Sequence, residues 1–161
     1  MSPTTLAVGQ AAPDFRLKGP DGQFVTLSEF KGQRPVLLVF YPLAFSPVCS
    51  HQLPEVQRDL ARFESLGAAV FGVSVDSHYS NAAFARSLGL GFPLLSDFKR
   101  AAMTAYGVLR GEAGYSERAS FLIDRDGRIA WMEVAQNPGD LEQIPSNEHA
   151  LAALSALAAS K

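Results

Sequence analysis

The chain has a single cysteine, Cys49, among 161 residues. That excludes an intrachain disulfide, and it excludes the C-x-x-C pair of a thioredoxin-type disulfide oxidoreductase. Charge is sparse and nearly balanced: charged residues make up 19% and the formal net charge is −2. No basic stripe is evident, so nucleic acid is not an expected partner. Long apolar runs are missing as well. None approaches the ~20 residues that a membrane helix needs, and no membrane partner is expected. Residues 1–15 hold neither Lys nor Arg, so the basic n-region of a secretory signal is absent. The cytoplasm is the expected location. Histidine is limited to His51, His78 and His149. One Cys with one nearby His falls short of a metal site, and neither metal nor cofactor is expected.

What is present fits one domain over residues 1–161. Hydrophobic residues are 47% of the chain, enough for a full core at this length. Residues 1–12 read as an irregular arm. Phe15–Leu17 and Phe24–Leu27 flank Gly19-Pro20-Asp21-Gly22, which predicts a β-hairpin. Ser28 is placed to cap a short helical turn ended by Gly32. Val36–Tyr41 and Ala68–Val75 are unbroken apolar strands around a helical stripe of Leu53, Val56, Leu60 and Phe63. Together they predict a right-handed β-α-β unit. A helix to Leu88 follows, burying Phe84 and Leu88. Gly89, Gly91 and Pro93 then break the chain. Ser96 or Asp97 is placed to cap a helix over Phe98, Ala102 and Tyr106. Gly111–Ser116 reads as a loop. Ala119–Asp124 and Ile129–Val134 are strands joined across Asp126-Gly127. Gln136–Pro145 is a second loop. A last helix starts at Ser146 or Asn147, with Leu151, Leu154 and Leu157 on one stripe. The result is an α/β domain with a mixed central sheet and helices on both faces.

Cys49 stands where the first apolar strand hands over to a helix. It lies four residues before Leu53, so it falls in or near the first turn on the same inward face. A helix N-terminus carries partial positive charge, a setting that favours thiolate over thiol. A lone free cysteine is otherwise a small buried hydrophobe. The neighbours argue for chemistry: Pro42, Ser46 and Cys49 make P-x-x-x-S-x-x-C, and Pro47 stiffens the same loop. His51 is two residues from Cys49 and so points to another face of the helix, which disfavours a Cys–His dyad.

This motif after an apolar strand resembles the active-site motif of the peroxiredoxins, thiol peroxidases of thioredoxin-like fold. The similarity spans nearly the whole chain. It includes Gly9–Phe15 (GQAAPDF), the YPLAFSPVC segment ending at Cys49, Phe92–Phe98 (FPLLSDF), Ala105–Val108 (AYGV) and Arg118–Gly127 (RASFLIDRDG). Together these are most similar to the alkyl hydroperoxide reductase E-like branch. The resemblance implies that Cys49 attacks a hydroperoxide and becomes a sulfenic acid. It implies that Arg118, just before a late strand, stabilises the thiolate, and that Pro42 shields the sulfur from water. Ser46 would hydrogen-bond the sulfur or a peroxide oxygen, and the Cys49 N–H would polarise the leaving oxygen.

Two departures stand out: Ser46 replaces the commoner threonine, and Gln52 stands where a glutamate is frequent. A resolving cysteine of one large branch would fall at Pro54, so the cycle is expected to be one-Cys. An external reductant would close it: a low-molecular-weight thiol, a glutaredoxin-like protein or a thioredoxin. Relatives commonly pair through loops near the active site, which implies a homodimer using apolar residues of Leu43–Val48. A peroxide sensor or holdase using the same oxidation, or an inert binding domain of the same fold, are the rival readings.

Overall fold

The computed structural model describes residues 6–137 and 140–159. Residues 6–12 are irregular but pinned to the body. Gly9 N–H donates to Ile129 O and Ala12 N–H to Gly127 O, both at 2.8 Å; residues 1–5 of the expected arm lie outside the described residues. β1 (Arg16–Lys18) and β2 (Phe24–Thr26) form the expected hairpin. Gly22 takes φ 81° in its turn, a conformation that costs glycine nothing sterically. A short 3-10 helix follows at Leu27–Phe30. The expected Ser28 cap is not made. Ser28 lies inside the turn, and its N–H donates to Asp14 Oδ1 at 2.8 Å.

β3 (Val36–Phe40), α1 (Cys49–Ser65) and β4 (Ala69–Ser74) are the β-α-β unit, with β3 and β4 parallel from Val36↔Ala69 to Phe40↔Val73. α2 (His78–Leu88) starts at a Ser77 cap that accepts from Ser80 N–H. It buries Phe84 fully and Leu88 in part. β5 (Leu94–Ser96) adds a strand where the breakers argued for none. It pairs parallel with β4 and antiparallel with β1, so neighbouring edges supply what three residues cannot supply alone. α3 (Ala101–Ala105) is shorter than expected. Asp97 is its anchor, accepting from Ala102 N–H at 3.0 Å and Met103 N–H at 2.7 Å. Ser96 instead donates to Asp76 O, and Phe98 stays outside the helix, 65% exposed.

Gly111–Ser116 is not wholly loop: β6 (Leu109–Arg110) and β7 (Tyr115–Ser116) make a two-stranded ladder. β8 (Ala119–Ile123) and β9 (Ile129–Val134) meet across a short turn. Gly127 N–H donates to Asp124 O at 3.0 Å, and Gly127 sits at φ 79°. This is the three-residue hairpin loop in which a left-handed glycine closes the turn. Within the 136–145 segment, Leu141–Gln143 forms one 3-10 turn; Pro138 and Gly139 lie outside the described residues. α4 (Asn147–Ala159) begins after Ser146, whose Oγ accepts from His149 N–H.

The seven-stranded sheet runs β2-β1-β5-β4-β3-β8-β9. Its strand side chains alternate between two cores. Val36, Leu38, Phe40, Phe121 and Ile123 face a cluster that includes Phe15, Leu17, Met103 and Tyr106. Leu37, Val39, Tyr41 and Leu122 face Leu53, Val56 and Phe63 of α1, Phe84 of α2 and Leu151 of α4. Helices therefore cover both faces, as expected. No helix among the described residues is long and apolar enough to cross a membrane.

Candidate active site

The loop between β3 and α1 brings Cys49 to the first residue of α1. Its thiol is fully buried, packed with Tyr41, Leu53 and the apolar face of α1. Loop carbonyls already serve the first turn: Ser50 N–H donates to Ser46 O at 2.9 Å and Gln52 N–H to Val48 O at 2.8 Å. The Cys49 N–H has no hydrogen-bond partner among the described residues.

Strand register delivers the second group. β8 runs antiparallel to β3, with Ala119 opposite Phe40. Arg118, one residue earlier, is thereby set beside the chain as it leaves β3. Its Nη1 donates to Cys49 Sγ at 3.1 Å and to Gln52 Oε1 at 2.5 Å. Arg118 is 2% exposed and Gln52 1%. A buried guanidinium needs hydrogen-bonding or anionic neighbours to offset lost hydration. A sulfur and a neutral amide oxygen meet that need here.

The other two motif residues are placed differently. Ser46 Oγ donates to Leu43 O at 2.8 Å; in this conformation it ties the loop to itself and is not bonded to the sulfur. Pro42 is buried directly after Tyr41. His51 faces away, 3.5 Å from Glu55 on the exposed side of α1. Sequence reasoning missed a polar network beneath the loop. Tyr41 Oη donates to Asn81 Oδ1 at 2.5 Å, Asn81 Nδ2 donates to Ser74 Oγ at 3.0 Å, and Ser74 Oγ donates to Asp76 Oδ2 at 2.8 Å. Asp76 Oδ2 also accepts from Ala44 N–H at 2.8 Å, which fixes the loop three residues past its start. Burial holds the Tyr41 phenol well above its ordinary value, so it remains a neutral donor. The Ser74-Val75-Asp76 spacing on a strand exit was the available signal, but its partners come from α2 and the loop. Among the described residues, no cluster of His, Cys, Asp or Glu could hold a metal ion.

The chain as a whole is similar to known proteins. Residues 8–132 match the AhpC/TSA family. The chain is 40% identical over 153 residues to alkyl hydroperoxide reductase E of Mycobacterium tuberculosis, covering 94% of this chain and 99% of that one. It resembles the crystal structure of peroxidoxin BcpB from Mycobacterium tuberculosis with TM-score 0.84 at 28% identity, covering 94% of this chain and 98% of that one. It also resembles the reduced Plasmodium vivax 2-Cys peroxiredoxin with TM-score 0.82 at 31% identity, covering 94% and 82%. The mixed sheet with its flanking helices is the thioredoxin-like fold of these neighbours. With a cysteine at the first turn of α1 and sequence likeness across nearly all of its length, the chain belongs to the AhpC/TSA family of peroxiredoxins and is similar to alkyl hydroperoxide reductase E.

Proposed function

We propose that this peroxiredoxin reduces hydrogen peroxide and small organic hydroperoxides through Cys49, in a one-Cys cycle. The observation that carries the reading is the buried Arg118 Nη1 donating to Cys49 Sγ at 3.1 Å. A fixed guanidinium beside the sulfur supports its anionic form. The thiolate attacks one peroxide oxygen, the O–O bond breaks, and the leaving oxygen departs as water or alcohol after taking a proton. Cys49 is left as the sulfenic acid. The Cys49 N–H and the Arg118 guanidinium polarise the reacting oxygens. Ser46 releases Leu43 O and turns its hydroxyl to the peroxide. Pro42 excludes water from the sulfur.

No second cysteine exists in the chain to resolve the sulfenic acid. An external thiol condenses with it, releasing water and forming a mixed disulfide, and a second thiol displaces Cys49. A low-molecular-weight thiol, a glutaredoxin-like protein or a thioredoxin fills that role in a reducing compartment, the cytoplasm. Leu43 and Phe45, 37% and 57% exposed in the loop before Cys49, support a homodimer through this face. Light scattering that gives only the 17.3 kDa species at every concentration would remove the dimer.

The chemistry is tested by intact mass after one equivalent of hydrogen peroxide, with a sulfenic-acid trap. The wild type gains the trap adduct within seconds, and Cys49→Ser gains none. An unmodified wild-type thiol after minutes would overturn the reading.

A further inference from the structure

We propose that the cavity on the outer face of β1 binds a small aromatic phosphate of nucleotide size. The cavity is about 580 Å³ and lies between β1 and the segments Ser77–His78 and Asp97–Ala101. That volume falls within the usual range of small-molecule sites. Cys49 is not part of its wall. The proposal therefore stands apart from the peroxide chemistry.

Charge is the first argument. Arg16, Lys18 and Lys99 all line the cavity. Arg16 and Lys18 are two apart on β1 and share its outer face, while Leu17 between them is buried. Among the described residues, none of the three cations lies in an ion pair with a carboxylate. Asp97 is the one acidic residue of the wall. Its two oxygens are already engaged by the Ala102 and Met103 N–H groups. Three unpaired cations thus converge on one concavity of a chain whose net charge is −2.

The second argument is aromatic. Phe24 stands opposite Lys18 in the hairpin register. The Arg16 guanidinium lies over its ring, 3.5 Å from the centroid. This stacking orients the guanidinium and leaves its N–H edges free to meet phosphate oxygens in a bidentate way. Phe98, 65% exposed, offers an uncovered apolar ring on the opposite wall. An inorganic anion would use the cations and leave Phe98 idle. A ligand carrying both a di- or triphosphate and a flat ring uses both.

Isothermal titration calorimetry on the full reduced chain tests this, with ADP, adenosine and inorganic pyrophosphate as probes. ADP is expected to bind saturably, one per chain. Adenosine and pyrophosphate should each bind at least about tenfold more weakly. The double variant Lys18→Ala/Lys99→Ala changes two exposed side chains and retains its fold by circular dichroism; it should weaken ADP by at least about tenfold. Arg58→Ala, an exposed cation on α1, should leave ADP binding unchanged. Absence of saturable heat with ADP, equal affinity for pyrophosphate, or undiminished binding in the double variant would each overturn the proposal. None of these readouts depends on peroxidase activity.

Discussion

Arg118 carries a charge in a nearly dry place, and its reach is set by one strand register. Lysine at 118 keeps the charge but loses the rigid, planar guanidinium that holds Nη1 between the sulfur and the amide oxygen. Arg118→Lys is therefore expected to lower the rate constant for peroxide oxidation of Cys49 by about 10²-fold, with the circular dichroism spectrum retained. Gln52→Glu should also slow it, because a carboxylate beside Arg118 competes with the sulfur for the same guanidinium; rapid-quench mass spectrometry measures both. Asp76 acts at a distance through Ala44. Asp76→Asn weakens two hydrogen bonds to a charged acceptor, and about 1.5 kcal/mol of stability is expected to be lost in urea titration. The sequence motif marked Cys49, and family likeness marked Arg118 and Pro42. Asp76 and Asn81 escaped both, because their partners lie 32 and 40 residues away in the chain.

α1 contains Pro54. Proline has no N–H to donate to Ser50 O and crowds that carbonyl, so the first turn holding Cys49 is less tightly bonded to the rest of the helix. No side chain caps that end. Pro54→Ala should restore the bond, adding about 1 kcal/mol and slowing hydrogen exchange in the first turn. It should also slow the reaction of oxidised Cys49 with an external thiol, since the sulfur is buried and the turn must open to meet a reductant.

At the other side of α1, Arg62 grips Glu148 of α4 with two hydrogen bonds, 2.7 and 3.2 Å. The guanidinium holds the Glu148 carboxyl below its ordinary value of 4.5. The folded state thus binds that proton less readily than the unfolded chain. The contribution is present above the ordinary value and is lost as pH falls through the lowered one. Glu148→Gln should accordingly lower the melting temperature slightly at neutral pH and leave it unchanged in strong acid. The pair is solvent-exposed, which keeps the effect small.

At the scale of the whole molecule, the sheet works only if both faces pack closely. Gly72 lies mid-strand in β4, and a Cβ there would come within 2.5 Å of Leu94 Cδ2 and 3.2 Å of Tyr41 Cε1. Both neighbours are fully buried. Gly72→Ala is expected to cost about 1–3 kcal/mol by overpacking, read as a lower urea midpoint at unchanged slope. The displaced Tyr41 would also disturb the network that holds the loop.

Local sequence signals were enough for the strand-loop-helix around Cys49, the β-α-β unit, the β1–β2 and β8–β9 hairpins and the last helix, but not for the β6–β7 pair. These rest on local signals: apolar runs, helical spacing, Gly-containing turns and capping residues, each read within a few positions. Tertiary structure decided the rest. β5 exists because β4 and β1 offer it edges, although three residues have little strand preference of their own. α3 is short because Arg100 takes a left-handed conformation, φ 63°, before the helix begins. Cys49 meets Arg118 because β3 and β8 pair antiparallel, 69 residues apart in the chain. A one-residue slip in that pairing would turn every β8 side chain to the other face, so the site is fixed by long-range register that no local pattern encodes.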